Sequence, residues 1–162
     1  MVFNVEEIPE ISEKDWRISI TGEVEEPHFY SIEQLKQYFE PKKVNSNILC
    51  LRGVTIKGVW TGVDARELVD ETNINEKASW VEVRAYSDYV EPVKLKDFVK
   101  EGVIIAYALN DKIIPVEQGG SLRLIVPQKY AYKSVKWLNE LRLLFKRPFG
   151  FWEKKGYPFK DQ

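Results

Sequence analysis

The chain has 162 residues, 44% of them hydrophobic and 13% aromatic, which supplies the apolar side chains for one domain of ordinary size. Charged residues make up 30% and the net charge is -1, which argues against nucleic-acid binding through bulk positive charge. One cysteine, Cys50, excludes an internal disulfide and any multi-cysteine zinc or iron–sulfur site, and one histidine, His28, excludes histidine-rich metal sites and counts against a Ser-His-Asp triad.

The opening Met1–Glu7 stretch has neither a basic nor an apolar region, so no secretory or twin-arginine leader is read, and no apolar run is long enough to span a bilayer. The expectation is a cytoplasmic protein with no membrane and no nucleic-acid partner. Trp16–Thr21 alternates apolar and polar residues and is predicted as a strand ended by Gly22. His28 precedes a capping box, Ser31-Ile-Glu-Gln34, and is read as a surface loop residue. The box opens a short helix over Ser31–Phe39, stopped by Pro41. A second box, Asp64-Ala-Arg-Glu67, opens a helix through about Glu71. Trp80–Ala85 is predicted as a strand with Val81, Val83 and Ala85 on one face. Val103–Leu109 and Lys112–Pro115 flank Asn110-Asp111, a pair that tolerates positive φ, and so predict a hairpin. Leu122, Leu124 and Val126 alternate, as do Leu141, Leu143 and Phe145. No linker or repeat interrupts the chain. These elements predict a single α+β domain over 1–162, with mixed β-sheets and short flanking helices.

There is no Gly-x-Gly-x-x-Gly and no Walker A pattern, and Gly119-Gly120 reads equally as a turn. Cys50, in Asn47-Ile-Leu-Cys50-Leu-Arg52-Gly53, has two readings. It is a small apolar residue ending a buried strand, or a soft nucleophile or ligand whose thiolate Arg52 favours. Lys129–Trp137 joins three lysines, a hydroxyl and three aromatics, with Arg123 upstream. It is either a pocket for a planar ring carrying phosphate or a strand edge bearing solvated lysines.

Taken together, these segments resemble the sulfite-oxidase-type molybdopterin domain in its short single-domain form. The resemblance is carried in order by Pro9 with Trp16–Val24, Cys50 with Trp60-Thr-Gly-Val63, Ser87-Asp88-Tyr89, Ala106–Asn110, Gly119–Pro127, Tyr132-Lys-Ser-Val-Lys-Trp137, and Gly150-Phe-Trp-Glu153 with Gly156-Tyr157. It implies the sulfite oxidase molybdopterin-binding domain fold and a molybdenum–molybdopterin cofactor. It implies oxygen-atom transfer to or from a small substrate such as sulfite, a sulfoxide or a related oxyanion. Cys50 would ligate the metal, a role that suits a soft thiolate. Arg123 would bind the cofactor's phosphate, with Ser134, Val135 and Lys136 holding the pterin and phosphate partly through backbone groups. Gln118 stands five residues before Arg123, where members carry a His or Asn that contacts the pterin, and Asp88 is the polar residue on a turn along the pterin.

Departures from the pattern fall at Asn4, where relatives carry a histidine, at Ser121, where they carry a proline, and at Leu51-Arg52-Gly53, where a small hydroxyl residue is common. Arg52 is therefore a candidate for shaping an oxyanion pocket. The resemblance does not extend to a dimerisation or haem domain, so a separate electron-transfer partner is implied. The rival reading is a non-enzymatic binding or scaffold domain of the same fold that has lost the cofactor. A thiol-redox role for Cys50 alone would need an outside thiol.

Overall fold

The computed structural model describes residues 7–49, 55–127 and 133–156. Strand β1 (Arg17–Gly22) follows from alternation: Ile18 and Ile20 are fully buried while Arg17 is exposed. It pairs antiparallel with β2 (His28–Ser31). His28, expected in a surface loop, is instead the half-buried first residue of β2, with Nδ1 3.0 Å from the Tyr30 hydroxyl.

Helix α1 (Ile32–Tyr38) begins at the expected capping box. The Gln34 N–H donates to Ser31 Oγ at 3.1 Å and the Ser31 N–H to Gln34 Oε1 at 2.9 Å. The helix buries Ile32 and Leu35. Strands β3 (Lys42–Leu49) and β4 (Thr55–Asp64) form a long antiparallel hairpin, of which the sequence suggested only a strand ending at Cys50, as one of two readings. Asn45, Ser46 and Asn47 blur its alternation, and β4 carries two glycines. At Gly62 a Cβ would stand 2.0 Å from the Ile105 carbonyl oxygen, so the register shift at Thr61/Gly62 depends on glycine.

Helix α2 (Ala65–Asp70) starts where expected, but its capping differs: Asp64 accepts from the Arg66 N–H at 2.9 Å rather than from Glu67. Next come β5 (Trp80–Ala85), β6 (Val90–Lys94) and a helical turn, α3 (Leu95–Phe98). Strands β7 (Ile104–Leu109) and β8 (Lys112–Ile113) form the expected hairpin, with Asn110 at φ 52 and Asp111 at φ 62. The Asn110 side chain also accepts from the Val59 N–H at 3.0 Å. Strand β9 (Arg123–Ile125), β10 (Leu138–Leu144) and the turn α4 (Phe151–Lys154) follow, and 3-10 turns at Glu13–Asp15 and Val116–Gln118 complete the described elements. Phe145, expected to continue the alternation of β10, lies beyond it and is 45% exposed.

Among the described residues two five-strand sheets result. Sheet 1 runs β2-β1-β10-β5-β6, with β1 and β10 parallel and its other pairs antiparallel. Sheet 2 runs β3-β4-β7-β8, with β9 also on β7. The architecture is α+β with mixed sheets and short helices. The main core joins the sheets: Ile18, Val83 and Leu141 from sheet 1 share one cluster with Val63, Ile105 and Leu124 from sheet 2. Each such fully buried aliphatic side chain contributes about 1.5–3 kcal/mol. A smaller cluster joins Ile48, Ile56, Trp60, Ile104 and Ile125 of sheet 2 with Ile114, which directly follows β8. No helix among the described residues is long and apolar enough to cross a membrane.

Candidate functional site

Strand alternation places Arg123. Register pairs Ile125 with Ile104, Leu124 with Ile105 and Arg123 with Ala106. Leu124 therefore enters the main core, while Arg123 and Ile125 turn to the other face of sheet 2. There the guanidinium carbon lies 5.4 Å from the centre of the Trp60 ring. Nη1 donates to the Gln118 carbonyl at 2.7 Å and Nη2 to the Ser134 carbonyl. Arg123 is only 1% exposed and fastens three segments together.

Residues 134–138 run beside 122–126. The Leu124 N–H donates to the Val135 carbonyl at 2.9 Å, the Leu138 N–H to Leu122 at 2.8 Å, and the Trp137 N–H to Gly119 at 3.2 Å. The Val126 N–H donates to Ser134 Oγ at 2.9 Å, which leaves that hydroxyl its own proton to donate. Gly119 is at φ +103, and a Cβ there would stand 2.8 Å from Lys136 Cγ and 3.1 Å from Arg123 Cδ. Gly119 is thus a close approach of backbone to the two cationic side chains, whereas a Cβ at Gly120 would meet the Ile114 carbonyl oxygen at 2.0 Å. The half-buried Lys136 carries its ammonium 4.5 Å from the Trp137 ring centre, and the Trp137 indole N–H donates to the Val116 carbonyl at 2.8 Å.

The structure therefore brings together five of the residues singled out from sequence: Gln118, Arg123, Ser134, Val135 and Lys136. The Val135 side chain belongs to the main core, so its backbone is the part that can face a ligand. Asp88 is exposed on the β5–β6 turn. That turn abuts the cluster, because the Tyr86 N–H donates to the Trp137 carbonyl at 2.8 Å.

Asn4, Cys50 and Arg52 lie outside the described residues. The flanks of Cys50 are described. Leu49 pairs with Thr55, and the next pair inward, Ile48 with Ile56, belongs to the same apolar cluster as Trp60. The strand arms that bracket the cysteine therefore share one cluster with the ring under the Arg123 guanidinium. Among the described residues no three His, Cys, Asp or Glu side chains gather as a metal site.

Sequence reading missed the contact of Trp60 with Arg123, the packing role of Gly119, and a buried ion pair. Lys133, one of the lysines that a solvated edge would expose, is 3% exposed. Its ammonium donates to Glu91 Oε2 at 2.9 Å and to the Pro92 carbonyl at 2.8 Å. The Tyr89 hydroxyl donates to the other Glu91 oxygen at 3.1 Å. Burial pushes the Glu91 carboxyl above its usual range and is the largest influence on it; Lys133 and the Tyr89 hydroxyl oppose that rise and the Glu153 charge adds to it. The closing Gly150–Glu153 stretch is also tied down, because Glu153 receives Arg147 through two bonds of 2.7 and 2.6 Å and the Gly150 N–H at 2.9 Å.

Beside the aromatic rings the cluster holds the half-buried Lys136 ammonium, the Ser134 hydroxyl and the Gln118 amide, backed by the buried Arg123 charge, whose Nη1 and Nη2 donate to backbone carbonyls. That set suits an anion attached to a planar ring. It fits the phosphate-bearing pterin that the resemblance implies.

Comparison with known proteins agrees. The family model described as oxidoreductase molybdopterin binding domain matches residues 5–152. The uncharacterized oxidoreductase YuiH of Bacillus subtilis is 32% identical over 88% of this chain and 72% of its own length. The protein-methionine-sulfoxide reductase catalytic subunit MsrP of Xanthomonas campestris is 26% identical over 85% of this chain and 47% of its own. In fold, the sulfane dehydrogenase SoxCD of Paracoccus pantotrophus matches 86% of this chain and 41% of that chain, with a TM-score of 0.81 at 21% identity. The chain thus spans less than half of the latter two.

Proposed function

From the membership of this chain in the oxidoreductase molybdopterin-binding family of sulfite-oxidase-like enzymes, we propose that it transfers an oxygen atom to or from a small sulfur–oxygen substrate, a sulfoxide, sulfite or a related oxyanion. The observation that carries this is the convergence of Gln118, Arg123, Ser134 and Lys136 on one cluster, shared through Trp60 with the strands bracketing Cys50. The molybdenum cofactor, when bound, supplies the two-electron redox chemistry and the exchangeable oxygen position.

The chain's own residues bind and orient. Cys50 offers a soft thiolate to the metal. Lys136 and Arg123 hold the phosphate, Lys136 from the more exposed position and Arg123 from behind the Gln118 and Ser134 carbonyls. The Ser134 hydroxyl and the backbone at Val135 hold the ring system. Gln118, Asp88 and Asn4 meet its polar edges. Arg52, two residues beyond Cys50, steers an anionic substrate. Electrons come from or go to a separate partner. The name of the MsrP relative favours a sulfoxide among the substrates.

Metal analysis of protein made in a host that synthesises the cofactor tests this reading. Near-stoichiometric molybdenum, lost in Cys50→Ser, is the expected result. Protein that stays free of molybdenum after reconstitution would instead support a scaffold that has lost the cofactor. One observation favours that rival: Arg123 is only 1% exposed and donates to two backbone carbonyls.

A further inference from the structure

The Glu91–Lys133 pair lies outside the groups assigned above, yet Lys133 directly precedes Ser134. Both side chains are nearly sealed, at 7% and 4% exposure. A buried ion pair adds little net stability over apolar residues of the same size, because desolvating two charges offsets most of their attraction. What it does provide is direction. The Lys133 ammonium is aimed by two acceptors, the Glu91 carboxylate and the Pro92 carbonyl, on adjacent residues of β6.

Glu91 is itself fixed. Its backbone pairs with Val83 in sheet 1, and its second oxygen accepts from Tyr89, whose ring stacks on Phe151 with centroids 5.2 Å apart. From Lys133 the chain enters the ladder directly. The Ser134 hydroxyl takes the Val126 N–H, the Ser134 carbonyl takes Arg123, and the Val135 carbonyl takes the Leu124 N–H. An unbroken set of bonds therefore runs from the β6 backbone to Arg123.

We infer that Glu91, acting through the Lys133 ammonium, is a positioning residue that sets the backbone of residues 134–136 for cofactor binding. The inference rests on the reading that this segment holds the cofactor. Glu91 touches neither cofactor nor substrate; it fixes where the segment starts.

The test compares the full-length wild type with Glu91→Gln and with the double variant Glu91→Leu, Lys133→Met. The double variant removes the charges while keeping the volume filled, so the fold survives the loss of the pair. Two quantities are read. Amide exchange is followed at Leu124 and Val126 in protein from a host lacking the cofactor, with Ile18 in β1 as the control. Molybdenum per chain is measured in protein from a host that makes the cofactor. The expected result for the double variant is exchange about tenfold faster at Leu124 and Val126 with Ile18 unchanged. Molybdenum content should fall by about threefold or more, the direction expected when a binding-competent conformation is less populated. Glu91→Gln should shift both in the same direction. Exchange unchanged at Leu124 and Val126 overturns the inference, and so does faster exchange with full molybdenum content. A wild type that takes up no molybdenum refutes the cofactor reading instead, and the exchange rates alone then decide whether Glu91 positions the segment.

Discussion

Arg123 joins two backbone carbonyls from one planar guanidinium and rests on Trp60, a geometry that lysine cannot copy. Arg123→Lys should leave one buried carbonyl without a partner and cost about 1–3 kcal/mol in urea denaturation of the cofactor-free protein. Glu91 sets a pH dependence. Burial raises its carboxyl above the ordinary 4.5, so the native state holds the proton more tightly than the unfolded chain does. The stability this group contributes is complete below pH 4.5 and is lost as the pH rises through the raised value. Lys133, Tyr89 and Glu153 are the groups that face it. Denaturation at a series of pH values should show this falling component in the wild type and not in Glu91→Gln. At this scale the sequence singled out Arg123 and Ser134-Val135-Lys136 from short motifs, and the fold brings them side by side. Glu91 was not legible: it reads as an ordinary strand residue until the fold brings Lys133 to it from another part of the chain.

Among the elements, α1 and the Asn110-Asp111 hairpin were legible because their signals are local, a reciprocal cap and two residues that accept positive φ. Ser31→Ala removes the acceptor for the Gln34 N–H and should lower stability by about 1 kcal/mol in thermal or urea unfolding. The β3–β4 hairpin was hidden because its polar run and glycines obscure alternation, and because the bulge at Gly62 is demanded by β7 rather than by its own sequence. Gly62→Ala places a carbon against the Ile105 carbonyl and should cost more than about 3 kcal/mol, seen as a large drop in the urea midpoint or loss of soluble protein. The second predicted capping box formed only in part, because Asp64 caps Arg66 while also closing β4. The Gly150–Glu153 stretch, legible only as part of a family pattern, is a clasp: Glu153 holds Arg147 and the Gly150 N–H, and Gly150 packs against Pro92.

For the molecule as a whole, alternation in β1, β5 and β10 indicated buried faces but not which strands are neighbours. Pairing is decided by contacts between distant segments, and the mixed character of sheet 1 rests on a single parallel pair, β1 with β10. The family resemblance supplied the fold class that periodicity left general. That pair also orders the assembly of the protein. β10 lies between β1 and β5, so during synthesis two finished strands await a central neighbour made later than both. Both of its pairings therefore join segments far apart in sequence, the kind of contact that slows folding. Residues 133–137 immediately precede β10, so the strand that closes the sheet brings the proposed cofactor segment into place, and a cofactor that needs this segment can be received only once β10 has been made.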